Sequence, residues 1–124
     1  MINYKILLVD DENEFADTLA ERLHLRGYQA ETASDGERAL RSFEENHPDL
    51  VVLDLKMPGL GGMDVLKEMK KRDDTTPVIL LTGHGSTKEG IEGMKQGAYD
   101  YLIKPINIDA LIEKMDEAIK NKQN

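Results

Sequence analysis

The 124-residue sequence predicts an α/β fold built on a doubly wound, five-stranded parallel sheet. Two observations point there. Apolar runs such as Leu50–Leu53 have no polar face, as expected of strands buried on both sides of a parallel sheet. Such strands alternate with segments of helical apolar spacing five times along the chain, which calls for right-handed crossovers. A third observation concerns chemistry: the run at Leu50 ends in an acid, Asp54, where open α/β sheets place their ligands.

In chain order, Tyr4 to Val9 reads as the first strand, running into Asp10, Asp11 and Glu12. Phe15, Leu19 and Leu23 then recur at helical spacing up to Gly27, a C-terminal cap. Tyr28 to Ala33 alternates weakly, as an edge strand would, and a Ser34-Asp35-Gly36 turn leads to a helix with Ala39, Leu40 and Phe43 inward. Pro48 closes the connection to the Asp54 strand. After Pro58, the glycine-rich 59–62 segment reads as a flexible loop before a helix marked by Val65, Leu66 and Met69. Pro77 opens the fourth strand, ending at Thr82, and the fourth helix spans 87–96 with Ile91 and Met94 inward. Gly90 and Gly93 fall inside that helix, where they either weaken it or permit close packing. Tyr99 to Ile103 is the fifth strand, ending at Lys104-Pro105, and Leu111, Ile112, Met115 and Ile119 mark the last helix.

Composition narrows the function. With 40% hydrophobic residues the length suits one domain, residues 1–124, with a single core. No apolar run approaches the roughly 18 residues of a membrane span, and no signal peptide opens the chain, so a cytoplasmic protein without a membrane partner is expected. The absence of cysteine excludes disulfides, thiolate zinc clusters and thiol chemistry, and His24, His47 and His84 are too scattered for a zinc site. With 24 acids against 16 bases the net charge is −8, and no basic cluster could follow a phosphate backbone, so direct nucleic-acid binding is not expected.

The strand ends supply a set: Asp10 and Asp11, Asp54, Thr82 and Lys104. Carboxylates gathered at one sheet edge repel, by about 4 kcal/mol per pair at about 4 Å and an effective dielectric near 20. A hard divalent cation with oxygen ligands would offset that repulsion, and Mg²⁺ suits a site of few carboxylates, waters and a phosphoryl oxygen.

These residues, with LDLKMPG around Asp54, LLTGHGS around Thr82 and GAYDYLIKP around Lys104, resemble the receiver domain of two-component response regulators over essentially the whole chain. The wording is most similar to receivers of nitrogen-regulation-type activators, and a stand-alone receiver fits equally. The resemblance implies a (βα)5 flavodoxin-like fold with strand order 2-1-3-4-5 and a cis Lys104-Pro105 peptide. It implies that Asp54 is the nucleophile that takes a phosphoryl group from a phosphohistidine on a histidine kinase. Asp11, Asp54 and the Lys56 backbone carbonyl would bind Mg²⁺ directly, Asp10 would act through an intervening water, and Thr82 and Lys104 would contact phosphoryl oxygens. Tyr101 matches the family's switch aromatic, and Lys56 and His84 flank the path of hydrolytic water. A downstream protein or fused output domain would read the state of the fourth helix, fifth strand and fifth helix, and a phosphorylation-dependent dimer fits the same scheme. Such a protein catalyses its own phosphorylation and dephosphorylation without turning over a free substrate.

Each residue also has an ordinary reading: Asp10 and Asp11 as acids at a helix N-terminus, Thr82 as a strand-end Thr, Lys56 and Lys104 as solvated bases, Tyr101 as a core aromatic. Their joint occurrence at four strand ends favours the site. A haloacid-dehalogenase-type phosphatase would need a second Asp two residues after the nucleophile, where this chain has Lys56. A flavodoxin-like cofactor binder would need a phosphate loop where Asp10-Asp11-Glu12 stands, and no dinucleotide fingerprint or P-loop is complete. A receiver-like scaffold that is never phosphorylated would lack one or more of the five site residues.

Overall fold

The computed structural model describes residues 4–57, 59–83 and 87–123. The elements are β1 (Lys5–Val9), α1 (Asn13–Leu25), β2 (Gln29–Ala33), α2 (Gly36–Asn46), β3 (Leu50–Asp54), α3 (Gly62–Arg72), β4 (Val78–Thr82), α4 (Thr87–Lys95), β5 (Asp100–Ile103) and α5 (Ile108–Gln123). All neighbouring strands pair in parallel, in the order β2-β1-β3-β4-β5. The sheet thus has the expected order, and β2 lies at an edge. Element ends differ from the sequence reading by a residue or so: β1, β2 and β5 each start one residue later, and α4 stops at Lys95.

Side chains alternate across a strand, so each strand feeds both layers. Ile6, Leu8, Leu50, Val52, Ile79 and Leu81 pack with Leu19, Leu23, Leu111 and Met115 on the α1 and α5 side. Leu7, Val9, Val51, Leu53, Val78 and Leu80 pack with Phe43, Val65, Leu66 and Met69 on the other. The same alternation sorts the residues at the strand ends. Asp10, Asp54 and Lys104 continue the α1 and α5 face, while Thr82 and Tyr101 belong to the face that α4 covers.

Helix ends follow local chemistry. Gly27, at φ 90°, closes α1 with a Schellman pair: Gly27 N–H donates to His24 O and Tyr28 N–H to Leu23 O, each at 3.0 Å. Asp35 caps α2 by accepting from Arg38 N–H at 2.8 Å. At the end of the sheet opposite Asp54, Asp116 on α5 accepts hydroxyl hydrogen bonds from Tyr4 at 2.7 Å and Tyr28 at 3.0 Å, tying α5 across β1 and β2. Burial and that carboxylate raise the Tyr4 hydroxyl pKa well above its ordinary value.

The glycines are packing devices. A Cβ on Gly62 would be driven into the Asp54 carbonyl oxygen and would come within 2.5 Å of Leu55 Cα, so α3 can start flush against the end of β3 only because residue 62 is glycine. The 59–62 segment is therefore in part a close contact rather than simply a flexible loop. On α4, the expectation that Ile91 and Met94 face inward is overturned: they are 49% and 40% exposed, and Gly90 and Gly93 are buried instead. A Cβ on Gly90 would lie 2.6–2.8 Å from the Tyr101 ring, and one on Gly93 would strike Leu80 Cδ1. The helix approaches the sheet backbone-first, which turns its larger apolar side chains outward.

Two magnitudes compete at Gly93. Alanine gains about 0.8–1 kcal/mol of helix propensity, whereas overpacking a filled core costs about 1–3 kcal/mol. Leu80 is fully buried, and the added Cβ would also lie 3.9 Å from Leu66 Cδ2, so packing wins. Gly93→Ala is expected to lower stability in denaturant melts and to hasten amide exchange in α4; a more stable variant would return α4 to the propensity reading.

Candidate functional site

Parallel pairing continues one residue past the formal strand ends and fixes the site backbone. Asp10 N–H donates to Ala33 O at 3.1 Å, Leu55 N–H to Leu81 O at 3.0 Å, and Lys104 N–H to Thr82 O at 2.8 Å. Asp54 pairs across to Leu81, placing Thr82 one residue beyond it on the neighbouring strand. The Lys104-Pro105 peptide is cis, as the resemblance implies.

Asp10 and Asp54 are both buried, and Lys104 lies between them. Lys104 Nζ is 2.9 Å from Asp10 Oδ2 and 3.9 Å from Asp54 Oδ2. Glu12 also reaches this group: its Oε1 is 3.1 Å from Lys104 Nζ, and its backbone N–H donates to Asp10 Oδ1 at 2.9 Å. Beneath the ammonium lies the ring of Phe15, 4.4 Å from Nζ to the centroid. Asp54 Oδ1 accepts the Lys56 backbone N–H at 3.3 Å.

The electrostatics follow from this crowding. Burial and the Asp10 charge push the Asp54 carboxyl up from 3.8 to about 6, against the opposing pull of Lys104 and the Lys56 N–H; Asp11 adds a smaller upward push. A carboxyl held near 6 is still mostly ionised at pH 7, the form in which it can act as a nucleophile. Burial works against the Lys104 charge, but hydrogen bonds to Asp10 and Glu12 and the charges of Asp10 and Asp54 outweigh it, holding the ammonium above its ordinary pKa.

Of the residues expected from sequence, Asp10, Asp54 and Lys104 come together directly, and Thr82 stands fully buried at the adjoining strand end. Carboxylate oxygens of Asp10, Glu12 and Asp54 lie within 4.8 Å of one another, a spacing that fits a hard cation. Asp11 is exposed and stands outside that trio, although its charge reaches Asp54. Lys56 contributes its backbone at Asp54, and the residue is exposed. Tyr101 is half-buried, its ring against Gly90. His84 lies outside the described residues. Two participants were missed: Glu12, noted only as a further acid after β1, and Phe15, assigned only to the core stripe. The signal for both was their place in the first turn entering α1, directly after the acid pair.

The hydroxyl of Thr82 is the most informative atom. Thr82 is 0% exposed, and its Oγ1 has no hydrogen-bond partner among the described residues. An unpaired buried hydroxyl is costly and calls for an explanation. At the end of the strand between those of a buried carboxylate and an ammonium, an oxygen-rich anionic group would supply one.

Residues 6–116 match the response regulator receiver domain family. The chain is 39% identical over 107 residues to the regulatory protein AtoC of Escherichia coli, covering 86% of this chain and 23% of that protein. It is 42% identical over 120 residues to a probable transcriptional regulator, ycf27, of Cyanophora paradoxa, covering 97% and 50%. It therefore spans about half the length, or less, of these relatives. Among solved structures, a response regulator receiver domain from Clostridium thermocellum superposes with a TM-score of 0.93 at 41% identity, covering 97% of both chains. NtrX from Brucella abortus superposes with a TM-score of 0.94 at 34% identity, over 98% of this chain and 28% of that one. No helix among the described residues is long and apolar enough to cross a membrane. The chain belongs to the response regulator receiver domain family.

Proposed function

We propose that this chain is a cytoplasmic phosphorylation switch: Asp54 accepts a phosphoryl group from a phosphohistidine of a histidine kinase with Mg²⁺, and the change alters the α4, β5 and α5 surface that a partner or output domain reads. The observation that carries this reading is the buried, unpaired Thr82 hydroxyl at the end of β4, the strand between those that end at Asp54 and Lys104. In the transfer, an Asp54 carboxylate oxygen forms the new bond to phosphorus while the P–N bond breaks, and its electron pair stays on the departing imidazole nitrogen, which takes up a proton. Lys104 donates to a phosphoryl oxygen and Thr82 to another, so positioning and charge neutralisation do most of the work. Asp10, Asp54, Asp11 and the Lys56 carbonyl are the residues that would hold Mg²⁺. When bound, the metal offsets the carboxylate repulsion and gathers phosphoryl charge.

The output surface is supported by exposed apolar side chains: Ile91 and Met94 on α4 and, at 42% exposure, Ile103 at the end of β5. Such residues fit a partner or a second copy of the chain. The position of Tyr101, on the same sheet face as Thr82 and with its ring against Gly90, supports a coupling of that hydroxyl to α4.

The deciding experiment is mass spectrometry after incubation with acetyl phosphate and Mg²⁺. One phosphoryl group on Asp54, lost in Asp54→Asn and sharply reduced in Lys104→Ala, is expected. Steady turnover of phosphomonoesters without a phosphoprotein would overturn the reading in favour of a phosphatase.

The pH dependence follows from the raised Asp54 pKa. A carboxyl raised in the folded state gives stability that is fully present below the unfolded value near 3.8 and is lost as pH rises through about 6. Two pKa units correspond to roughly 3 kcal/mol. In chelator, Asp54→Asn should therefore be more stable than wild type at pH 7.5 and flatter between pH 4 and 6.5, and Mg²⁺ should stabilise wild type. Melts at several pH values check this; a variant less stable at pH 7.5 would contradict it.

Lys56 concerns the lifetime of the phosphoryl group. If its stem lies across the phosphoryl group, it excludes in-line water, and Lys56→Ala should shorten the aspartyl phosphate lifetime while leaving Mg²⁺ binding nearly unchanged, because the expected ligand is backbone. Decay after donor removal measures this, and an equal or longer lifetime would rule out shielding.

A further inference from the structure

Two of the three donors of the Lys104 ammonium are engaged before any phosphoryl group arrives. An ammonium has three N–H donors. Here Nζ lies 2.9 Å from Asp10 Oδ2 and 3.1 Å from Glu12 Oε1, and it sits 4.4 Å above the centre of the Phe15 ring. Asp54 Oδ2, at 3.9 Å, is within ion-pair range but beyond hydrogen-bond reach. The two hydrogen bonds to Asp10 and Glu12 hold the ammonium at that distance, so a shift toward an oxygen on phosphorylated Asp54 lengthens at least one of them.

The two carboxylates differ in what release would cost. The Asp10 side chain is 3% exposed, so losing the lysine would strand a buried charge. The Glu12 side chain is 66% exposed, and water can replace the lysine there. The face of an aromatic ring attracts the cation without fixing the direction of its donors, so Phe15 can keep its contact as the ammonium turns.

Glu12 is also misplaced for an ordinary structural role. It is the N-cap residue of α1, a position favouring Ser, Thr, Asp or Asn, and its side chain makes no capping hydrogen bond. Its backbone N–H instead holds Asp10 Oδ1 while its carboxylate holds the lysine bound to Asp10 Oδ2, closing a ring of three residues.

We propose that Glu12 is a positioning residue that parks the Lys104 ammonium away from Asp54 in the resting protein, so that release of Lys104 from Glu12 limits phosphoryl uptake. This rests on the phosphoryl-acceptor reading and deepens it. Phe15 is the platform on which the exchange takes place.

The test compares wild type, Glu12→Gln and Glu14→Gln. The last removes the same charge from the start of α1, at a side chain with no bond to Lys104. With acetyl phosphate and Mg²⁺, Glu12→Gln is expected to phosphorylate about two- to fivefold faster, the range an exposed ion pair supports. The difference should shrink as salt rises, because an exposed pair is screened, and Glu14→Gln should behave as wild type. In metal-free protein, the ¹⁵N resonance of Lys104 Nζ should shift in Glu12→Gln alone, a readout that helix stability would not move. Equal rates in wild type and Glu12→Gln, equal acceleration in Glu14→Gln, or an unmoved Nζ resonance would each overturn the parking role. Failure of wild type to form phosphorylated Asp54 would overturn the acceptor reading, and this role with it.

Discussion

The buried pair of carboxylates at the end of the sheet is the constraint on which the rest of this structure depends. Asp10 and Asp54 are held at the C-terminal edge by adjacent strands, β1 and β3, and neither can swing into water. Lys104 relieves part of their repulsion, while burial and the remaining charge of Asp10 still hold the Asp54 carboxyl above its ordinary pKa. In the proposed reaction this unfavourable resting arrangement would favour a cation or a cation-bound phosphoryl group, whereas a neutral ligand would gain nothing from the charges.

Sheet geometry makes this arrangement without any special loop. Strand alternation places Asp10, Asp54 and Lys104 on the α1 and α5 face, where the α1 aromatic Phe15 meets the lysine. The opposite parity places Thr82 and Tyr101 toward α4. Charge chemistry and the element proposed to respond to it are thereby separated by one strand thickness, with Asp54 and Thr82 at the ends of adjacent strands. Gly62 completes the design by letting α3 begin against the Asp54 carbonyl, so the strand end is held from behind as well as from its neighbours.

Strands and helices were legible because each is a periodic pattern of apolar residues, and the site was legible because its residues occupy the ends of those patterns. Asp54 and Lys104 are examples of both. What sequence did not reveal depends on distances between elements. Ile91 and Met94 have helical spacing and an apolar character that suits a core, yet two glycines take the core-facing side, since only they allow the backbone so near Leu80 and Tyr101. Glu12 reads as one more acid in a row of three; only folding shows that its carboxylate reaches across to Lys104, 92 residues away along the chain. Phe15 fits a core stripe equally well whether or not a cation lies above it.

The same glycines decide how α4 can respond to the site. A helix packed through long interlocking side chains must break many contacts to move, because filled interiors are dense. This helix presents little side-chain surface of its own at Gly90 and Gly93, and its larger apolar groups already face outward. A displacement would therefore sacrifice little burial from α4 itself, while the Tyr101 ring, resting where a Cβ would stand at residue 90, would meet or lose the helix backbone directly. In the proposed switch, the ring position and the helix position cannot be chosen independently: a seated Tyr101 needs α4 as it stands, and a shifted α4 changes the space available to the ring. In that proposal, this dependence would turn a small change at the Thr82 hydroxyl into a choice between two arrangements of the exposed apolar surface.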